Sequence, residues 1–229
     1  MKNFHKIEFS EHDKRMKIKI PSLTDSLLAY ETGVHIGDGS LQMIDGGTHS
    51  VRYWGHGEHD WEFMAKILPR IIKQLYNKDV AARKCGDSNK CVLSVCSKAV
   101  STFKKNVIGL PAGKKSQMKE LPPFVKRNKN LVTSCLRGVA DTDFSLYFQK
   151  DGTAVIDCIM SNRNLIRDIA IQLRKLGFDP KLRFDIKRYR KGKENIEHRI
   201  RLYGKKNLEK WMKVIGFSNP YYLSKLPNK

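Results

Sequence analysis

The stretch Leu28–Gln42 (LAYETGVHIGDGSLQ) and its partial repeat Ser134–Gln149 (SCLRGVADTDFSLYFQ) decide how this chain is organised. In each copy, small residues recur at every fourth position. Residues four apart share one face of a helix, so each copy predicts a helix with a face almost free of side-chain bulk. Two such helices can pack backbone to backbone, closer than the usual ~8–10 Å between helix axes. The small residues are Ala29, Gly33 and Gly37 in the first copy and Ser134, Gly138 and Thr142 in the second.

An aspartate directly follows the last small residue of each copy, Asp38 in the first and Asp143 in the second. If the two helices pair, these carboxylates lie side by side at one end of the pair. Like charges at close range repel each other, so a cation is expected between them. A single Gly-Asp-Gly sequence usually marks only the end of a helix. Two copies with the same spacing, final acid and following strand favour a metal site.

The two copies resemble the signature of the LAGLIDADG homing endonuclease family, in its single-chain form with two motifs. The nine-residue signature matches Glu31–Gly39 (ETGVHIGDG) and Leu136–Phe144 (LRGVADTDF), and the resemblance extends over nearly the whole chain. It implies a DNA endonuclease whose metal-binding acids are Asp38 and Asp143, and we add the preceding Gly37 and Thr142 as candidate metal ligands. Phe144 replaces the final glycine of the second signature, which loosens the match but leaves the acid intact.

The remaining sequence predicts two copies of one αββαββα unit. After each motif helix, the hydrophobic periodicity indicates a hairpin, an amphipathic helix, a second hairpin and a closing helix. We therefore expect an α+β fold of two pseudo-symmetric units, with antiparallel, saddle-shaped sheets and the motif helices packed at the centre. The predicted division is a first unit over residues 1–110, a linker over 111–130 and a second unit over 131–229.

Two local features at the start of the chain are also predicted. Ser22 or Thr24 is expected to cap the first motif helix, since hydroxyl side chains accept hydrogen bonds from the free N–H groups of a first turn. Arg15–Ile20 (RMKIKI) alternates between basic and apolar residues like a short strand or arm.

The composition favours a polyanionic partner. The chain of 229 residues carries 44 Lys+Arg against 23 Asp+Glu, a formal net charge of +21. Such a charge indicates DNA, RNA or an acidic membrane surface. The membrane is the weakest candidate, because no apolar run approaches about 18 residues and the N-terminus is too charged for a secretion signal. We expect an intracellular monomer that binds double-stranded DNA, with intron RNA as a further partner to be considered.

The cysteines and histidines give no clear metal site. The five cysteines include no CxxC pair, which argues against zinc, and the histidines show no metal-ligand spacing. Cys85 and Cys91 flank a predicted hairpin turn, so whether they pair is left open.

Strand alternation predicts a polar surface on both sheets. Period-two alternation separates an apolar face from one rich in arginine, lysine and tyrosine. Such a face is often only the solvated side of a sheet, but this many arginines favour reading of base edges in the major groove. The candidate DNA-binding residues are Ser40, Gln42, Arg52 and Arg83 in the first unit, and Ser145, Tyr147, Gln149, Arg183, Asp185, Lys187, Tyr189, Arg199 and Arg201 in the second.

Lys114 and Lys115 follow the first unit, where the resemblance would place a basic residue near the active centre. A lysine there can stabilise charge that develops on a phosphate. The alternative is that both lysines neutralise phosphates non-specifically. The equivalent stretch of the second unit, Gly216–Lys225, has Tyr221 and Tyr222 instead, with Lys225 further on.

The function expected from this sequence is site-specific cleavage of both strands of DNA at a long recognition site, with Mg²⁺ or another divalent cation. Carboxylates together with substrate oxygens are the usual ligands of Mg²⁺. An RNA-binding intron maturase and a non-cleaving DNA-binding regulator on the same fold are the alternatives. Retention of both aspartates favours the nuclease, and the absence of terminal splice residues favours an intron-encoded protein over an intein.

Overall fold

The computed structural model describes residues 7–44, 47–86, 88–113, 115–190 and 192–227, without the side chain of Arg190. Its first half contains helices α1 (Glu11–Arg15), α2 (Ser26–Asp38), α3 (Leu68–Tyr76) and α4 (Lys98–Thr102), and strands β1 (Gly39–Met43), β2 (His49–His56), β3 (Ala82–Cys85) and β4 (Ser88–Cys96). The second half contains helices α5 (Lys129–Asp143), α6 (Arg163–Lys175), α7 (Lys205–Val214) and α8 (Pro220–Leu223), and strands β5 (Phe144–Phe148), β6 (Ala154–Met160), β7 (Lys181–Arg190) and β8 (Lys193–Tyr203). A π-helical segment, Phe63–Ile67, leads into α3, and another, Phe103–Ile108, continues α4.

The strands form two four-stranded antiparallel sheets with the same topology. The order is β1-β2-β4-β3 in the first sheet and β5-β6-β8-β7 in the second. Each sheet follows one motif helix, α2 or α5, and has a further helix between its two hairpins. The predicted α+β class and the αββαββα order are therefore confirmed.

The two motif helices pack against each other at their glycines, as predicted. A methyl group added at Gly33 of α2 would lie 2.9 Å from the backbone nitrogen of Val139. One added at Gly138 of α5 would lie 2.7 Å from the backbone nitrogen of Val34. Real Cβ atoms do not approach other atoms so closely, so glycine is required at both positions for the helices to reach this separation.

Helix α2 is buried around most of its circumference, so its polar side chains need partners within the protein. Glu31, which is fully buried, accepts hydrogen bonds from the equally buried Lys104, with 2.7 Å between Nζ and each carboxylate oxygen. The hydroxyl of Tyr76 also donates to Glu31 at 3.0 Å, and so does that of Tyr53. This network holds the first motif helix against both α3 and the first sheet.

The predictions for the N-terminal region are wrong in two details. Asp25 caps α2, accepting a hydrogen bond from the Leu27 nitrogen at 2.7 Å, whereas the hydroxyls of Ser22 and Thr24 bond to each other. The stretch Arg15–Ile20 forms no strand. Instead, Arg15 ends the short helix α1, which a capping box between Ser10 and Asp13 starts. Lys17 then adopts the left-handed conformation with φ of 52°, which interrupts an extended run.

The stretch predicted as a linker packs closely on the second half of the chain. Asn162, which caps α6, donates from its side-chain amide to the carbonyl oxygens of Lys115 at 3.0 Å and Met118 at 2.8 Å. The nitrogen of Leu121 donates to Asp168 of α6 at 2.7 Å. The apolar side chains Leu110, Met118, Leu121, Phe124 and Val125 are buried. Residues 115–125 are thus positioned by α6.

All five cysteines lie in the described part of the chain and are free thiols, so Cys85 and Cys91 do not pair in this structure. Among the described residues, no helix combines the length and the apolar composition needed to cross a bilayer.

Candidate active site and nucleic-acid interface

Asp38 and Asp143 are the last residues of α2 and α5, and the packing of these helices brings them together. Gly37 directly precedes Asp38, and a methyl group added at Gly37 would lie 3.3 Å from Oδ2 of Asp143. Burial and then the negative charge of Asp143 raise the pKa of Asp38 to about 8. Burial raises the pKa of Asp143 to about 6, against the opposing effect of Lys115. The predicted meeting of two carboxylates at one end of the helix pair is confirmed, and we call it the acid pair.

Lys115 lies beside the acid pair. Its ammonium group donates to the carbonyl oxygen of Ile36 at 2.9 Å and also to that of Gly37. These are terminal carbonyls of α2, where the helix dipole favours a cation. Burial lowers the pKa of Lys115, while the charges of Asp143 and Asp38 raise it. Lys114, the other lysine predicted here, lies outside the described residues.

Gly37 and Thr142 lie next to the acid pair, and both are engaged in packing and hydrogen bonding. The carbonyl oxygen of Gly37 accepts from Lys115. The hydroxyl of Thr142 donates back to the carbonyl oxygens of Gly138 and Val139, both at 3.1 Å. A methyl group added at Gly37 would overlap the Thr142 side chain, so this glycine provides the space that Thr142 occupies.

Further polar residues around the acid pair were not predicted. Asp60 accepts from the backbone nitrogen of His56 at 2.8 Å and from the side-chain amide of Asn219 at 3.0 Å, and its charge further raises the pKa of Asp38. Asn219 is fully buried and also donates to the carbonyl oxygen of Asp141 at 3.1 Å. The contacts of Asn219 join residues 159 and 78 positions apart in sequence, so no local pattern indicates them.

The two halves differ at this site. The ammonium group of Lys225 lies 3.9 Å from the centre of the Tyr221 ring and 5.5 Å from that of Tyr222. It is therefore engaged with aromatic rings, whereas Lys115 contacts the end of a motif helix. The site is asymmetric although the fold is repeated.

The predicted polar face of the first sheet is present. The register pairs Ser40 with Arg52, and Arg52 with Ser94, so these side chains share one face of the sheet. Gln42 pairs with Ser50 on the same face, and Arg83 pairs with Val92, which also pairs with Trp54. Trp54, 40% exposed, is an aromatic member of this face that was not predicted.

The polar face of the second sheet is present over most of its predicted length. Ser145 pairs with Asp157, which in turn pairs with Arg201, and Arg183 pairs with Arg199. Tyr147 lies on the same face, two residues after Ser145. Gln149 lies in the turn just beyond β5, where its nitrogen donates to the carbonyl oxygen of Thr153 at 2.9 Å.

The prediction is wrong for Asp185, Lys187 and Tyr189, because a β-bulge interrupts β7. Arg183 pairs with Arg199 but Ile186 pairs with Glu197, so Phe184 and Asp185 together oppose His198. An extra residue in one strand reverses the facing of every later side chain. Asp185 adopts the left-handed conformation there, with φ of 56°.

The contacts beyond the bulge agree with this reversal. Lys187 and Tyr189 both reach Glu194, at 3.3 and 2.7 Å, on the face opposite to Arg199. The carboxylate of Asp185 forms an ion pair with Arg163 of α6 at 2.6 Å. Arg188 lies on the polar face where Lys187 and Tyr189 were predicted. Its Nε is 3.1 Å from Glu197, on the same face as Arg199 and Arg201.

Comparison with known proteins gives matches at the level of structure. No family model and no curated protein matches the sequence. A solved structure of I-DmoI in complex with DNA and Mn superposes with a TM-score of 0.58 at 15% identity, covering 85% of this chain and 98% of that one. The N-terminal LAGLIDADG domain of DUF199/WhiA superposes with a TM-score of 0.51 at 11% identity, covering 94% of each chain. The chain has the LAGLIDADG fold.

Full-length DUF199/WhiA from Thermatoga maritima has the LAGLIDADG fold in a longer chain. It superposes with a TM-score of 0.56 at 12% identity, over 91% of this chain and 61% of that one. At these identities the comparisons establish the fold of this chain, and its function has to be argued from its own residues.

Phe144, the departure from the signature, is compatible with the LAGLIDADG fold. Gly39 and Phe144 follow their motif helices with similar backbone angles, φ −79° and ψ 156° against φ −90° and ψ 157°. A methyl group at Gly39 would lie 2.6 Å from Cγ of His35. The residue that corresponds to His35 in the second motif is Ala140, and Phe144 packs against Trp211 with 5.2 Å between ring centres. Phe144 is buried, so the second motif fills this position with an aromatic side chain where the first motif has none.

The structure also corrects the expectation for the histidines. The potential ligand atoms of His56, Glu58 and His59 lie within 4.8 Å of one another, at the end of β2. His59 stacks on Tyr221 with 4.3 Å between ring centres. Any measurement of metal binding to the acid pair therefore has to control for this histidine cluster.

Proposed function

We propose that this protein is an endonuclease that cuts duplex DNA with the help of a divalent cation held by Asp38 and Asp143. The observation that carries the proposal is the acid pair, in which each of the two motif helices contributes one carboxylate at the same end. A protein that only binds DNA gains nothing from two carboxylates that repel each other beside a polyanion.

The chemistry of the acid pair fits a hard divalent cation. Both pKa values are raised, to about 8 and about 6, so the protein alone disfavours two full negative charges here. A cation between the carboxylates would offset that repulsion, and oxygen ligands suit Mg²⁺ and Mn²⁺. When bound, such an ion supplies an activated water and stabilises the leaving oxygen of the phosphodiester. Lys115 would then neutralise charge that develops on the phosphate.

The two polar sheet faces supply the DNA-binding surface in this proposal. Backbone phosphates would be attracted by the net charge of +21, and arginines on each face would read base edges. Solved structures of the neighbour I-DmoI hold DNA together with Mn or Ca, which supports the same use of this fold here. We further propose that the protein acts as a monomer and is encoded by an intron that it helps to spread.

The test is digestion of a randomised duplex library with Mg²⁺, followed by sequencing of the cut ends. We expect a recurring long sequence around the cut sites, and no cutting when EDTA replaces Mg²⁺. Recovery of a preferred sequence by binding, without cut ends at any Mg²⁺ or Mn²⁺ concentration, would reject the endonuclease and support a non-cleaving DNA-binding regulator. A preference for intron RNA over duplex DNA would support the maturase.

Replacement of Lys115 by methionine is expected to lower the cleavage rate by about a hundredfold, the effect of removing one group that stabilises transition-state charge. Binding of the recovered target duplex should change little, because one of many positive charges is lost. The matched control is Lys119→Met, which removes an exposed lysine from the same stretch. Equal rates for both variants would show that Lys115 acts only as one more basic residue.

A further inference from the structure

The polar face of the second sheet contains a buried carboxylate near its centre. Asp157 of β6 is only 5% exposed. Its Oδ1 lies 3.2 Å from Nε of Arg199, and its Oδ2 lies 3.3 Å from Nε of Arg201. Tyr147 adds a weak hydrogen bond from its hydroxyl at 3.5 Å. On a surface that meets a polyanion, a negative charge weakens general attraction, so its presence calls for a specific role.

Both arginines face Asp157 with the same edge of the guanidinium group. The contact atom is Nε in each case, and Nε is the donor nearest to the backbone. Arg201 donates a hydrogen bond from Nε to Asp157, whereas the contact of Arg199 is an ion pair without hydrogen-bond geometry. The guanidinium is planar with five donors in a fixed arrangement, so the hydrogen bond at Nε sets the plane of the Arg201 group, and the ion pair holds Arg199 beside it. Arg201 is fixed further by a hydrogen bond from Nη1 to the hydroxyl of Tyr203 at 3.2 Å.

The side chains of the two arginines remain 12% and 23% exposed. A guanidinium can also bind a phosphate through two hydrogen bonds, but general attraction to phosphates does not require a carboxylate at the base of the arginine. Here the rotamer entropy is lost before any ligand binds, which favours a ligand of one geometry over a diffuse charge. Of the four bases, guanine offers two adjacent acceptors, O6 and N7, that match an arginine in the major groove.

We propose that Asp157, Arg199 and Arg201 form a preorganised subsite for guanine on the second sheet, with Asp157 as the positioning residue. This inference rests on the proposed function, since it assumes that this sheet face meets the major groove of duplex DNA. Arg199 and Arg201 are two residues apart on β8 and point to the same face. The subsite would therefore contact two neighbouring base pairs, of which one or both contain guanine.

The experiment is a binding selection from a randomised duplex library in EDTA, so that no DNA is cut. It compares the wild-type protein with Asp157→Asn and Arg201→Lys. Glu209→Gln is the matched control, because it removes one negative charge from α7, the helix that follows β8. We expect the wild type to enrich guanine at one or two neighbouring positions. Asp157→Asn and Arg201→Lys should lower that enrichment about tenfold, within the range for one bidentate base contact, and Glu209→Gln should leave it unchanged.

Affinity for scrambled duplex separates positioning from a merely structural role. We expect Asp157→Asn to bind scrambled DNA as well as the wild type or better, since it has one negative charge fewer. An unchanged guanine preference in Asp157→Asn would overturn the proposal. An equal loss of affinity for every sequence, in a variant whose thermal melting matches that of the wild type, would also overturn it, because Asp157 would then support DNA binding in general and not one base contact.

The outcomes for the subsite and for the endonuclease are distinguishable. A guanine preference that depends on Asp157, in a protein that never cuts DNA, would support the subsite and reject the proposed function. Cutting at a defined site without any guanine preference that depends on Asp157 would reject the subsite and leave the proposed function intact.

Discussion

Asp38→Asn and Asp143→Asn are each expected to abolish double-strand cleavage, with a rate at least about a thousandfold below that of the wild type. That factor corresponds to roughly 4 kcal/mol of activation free energy, which is the order of the contribution expected from a catalytic metal ion. Asparagine keeps the shape of the side chain but removes the charge that would hold the cation. Binding of the target duplex should therefore be retained.

The measurement is the cleavage rate under single-turnover conditions, with the affinity for the same duplex measured in EDTA. Asp151→Asn serves as the control, since Asp151 is exposed in the turn between β5 and β6 and lies outside the acid pair. Cleavage at the wild-type rate by either Asp38→Asn or Asp143→Asn would contradict the account. A parallel loss of cleavage and of target affinity would show that the residues act in binding.

Replacement of Gly33 or Gly138 should have the largest effect on stability. Even the methyl group of alanine would approach the backbone of the opposite motif helix to 2.9 or 2.7 Å, so the helices would have to separate. Overpacking of a tight contact costs about 1–3 kcal/mol and sometimes more. We expect alanine at either position to destabilise the protein by about 3 kcal/mol. Leucine should leave little folded protein, because total stabilities are only about 5–15 kcal/mol.

The measurement is chemical denaturation of each variant. The control is Ser134→Ala, one turn before Gly138 on α5, which keeps a methyl-sized side chain at a position where the first motif already has Ala29. It should change the free energy of unfolding by no more than about 0.5 kcal/mol. Wild-type stability of Gly33→Ala and Gly138→Ala would show that the motif helices do not rely on close backbone contact.

The features that the sequence predicts are those with a local pattern that is repeated. The motif helices, their contact and the order of elements follow from small-residue spacing and from hydrophobic periodicity. The bulge in β7 lacks such a signal, because Asp185 takes a left-handed conformation without a glycine or proline beside it to mark the place. Because of this one extra residue, Lys187 and Tyr189 lie on the opposite face of the sheet from the one predicted.

In the candidate site, too, the sequence predicts the residues that belong to a repeated motif and not their distant partners. The acid pair is predicted because each carboxylate ends a recognisable motif. The partners of Asp157 and Asp60 are not, since Arg201 and Asn219 lie 44 and 159 residues away from them in sequence. The packing of residues 115–125 on α6 was also missed, because it depends on side chains of α6 that the lysine- and proline-rich composition does not indicate.

The central claim is that Asp38 and Asp143 together hold one divalent cation, and direct measurement of Mn²⁺ binding tests it best. Free Mn²⁺ is quantified by electron paramagnetic resonance as it is titrated into the protein bound to its target duplex. The samples are the wild type, Asp38→Asn, Asp143→Asn and a double variant, His56→Gln with His59→Gln, which removes the histidine cluster. We expect the tightest binding to be lost in each aspartate variant and kept in the histidine variant. Retention of that binding in both aspartate variants, or its loss in the histidine variant, would contradict the claim.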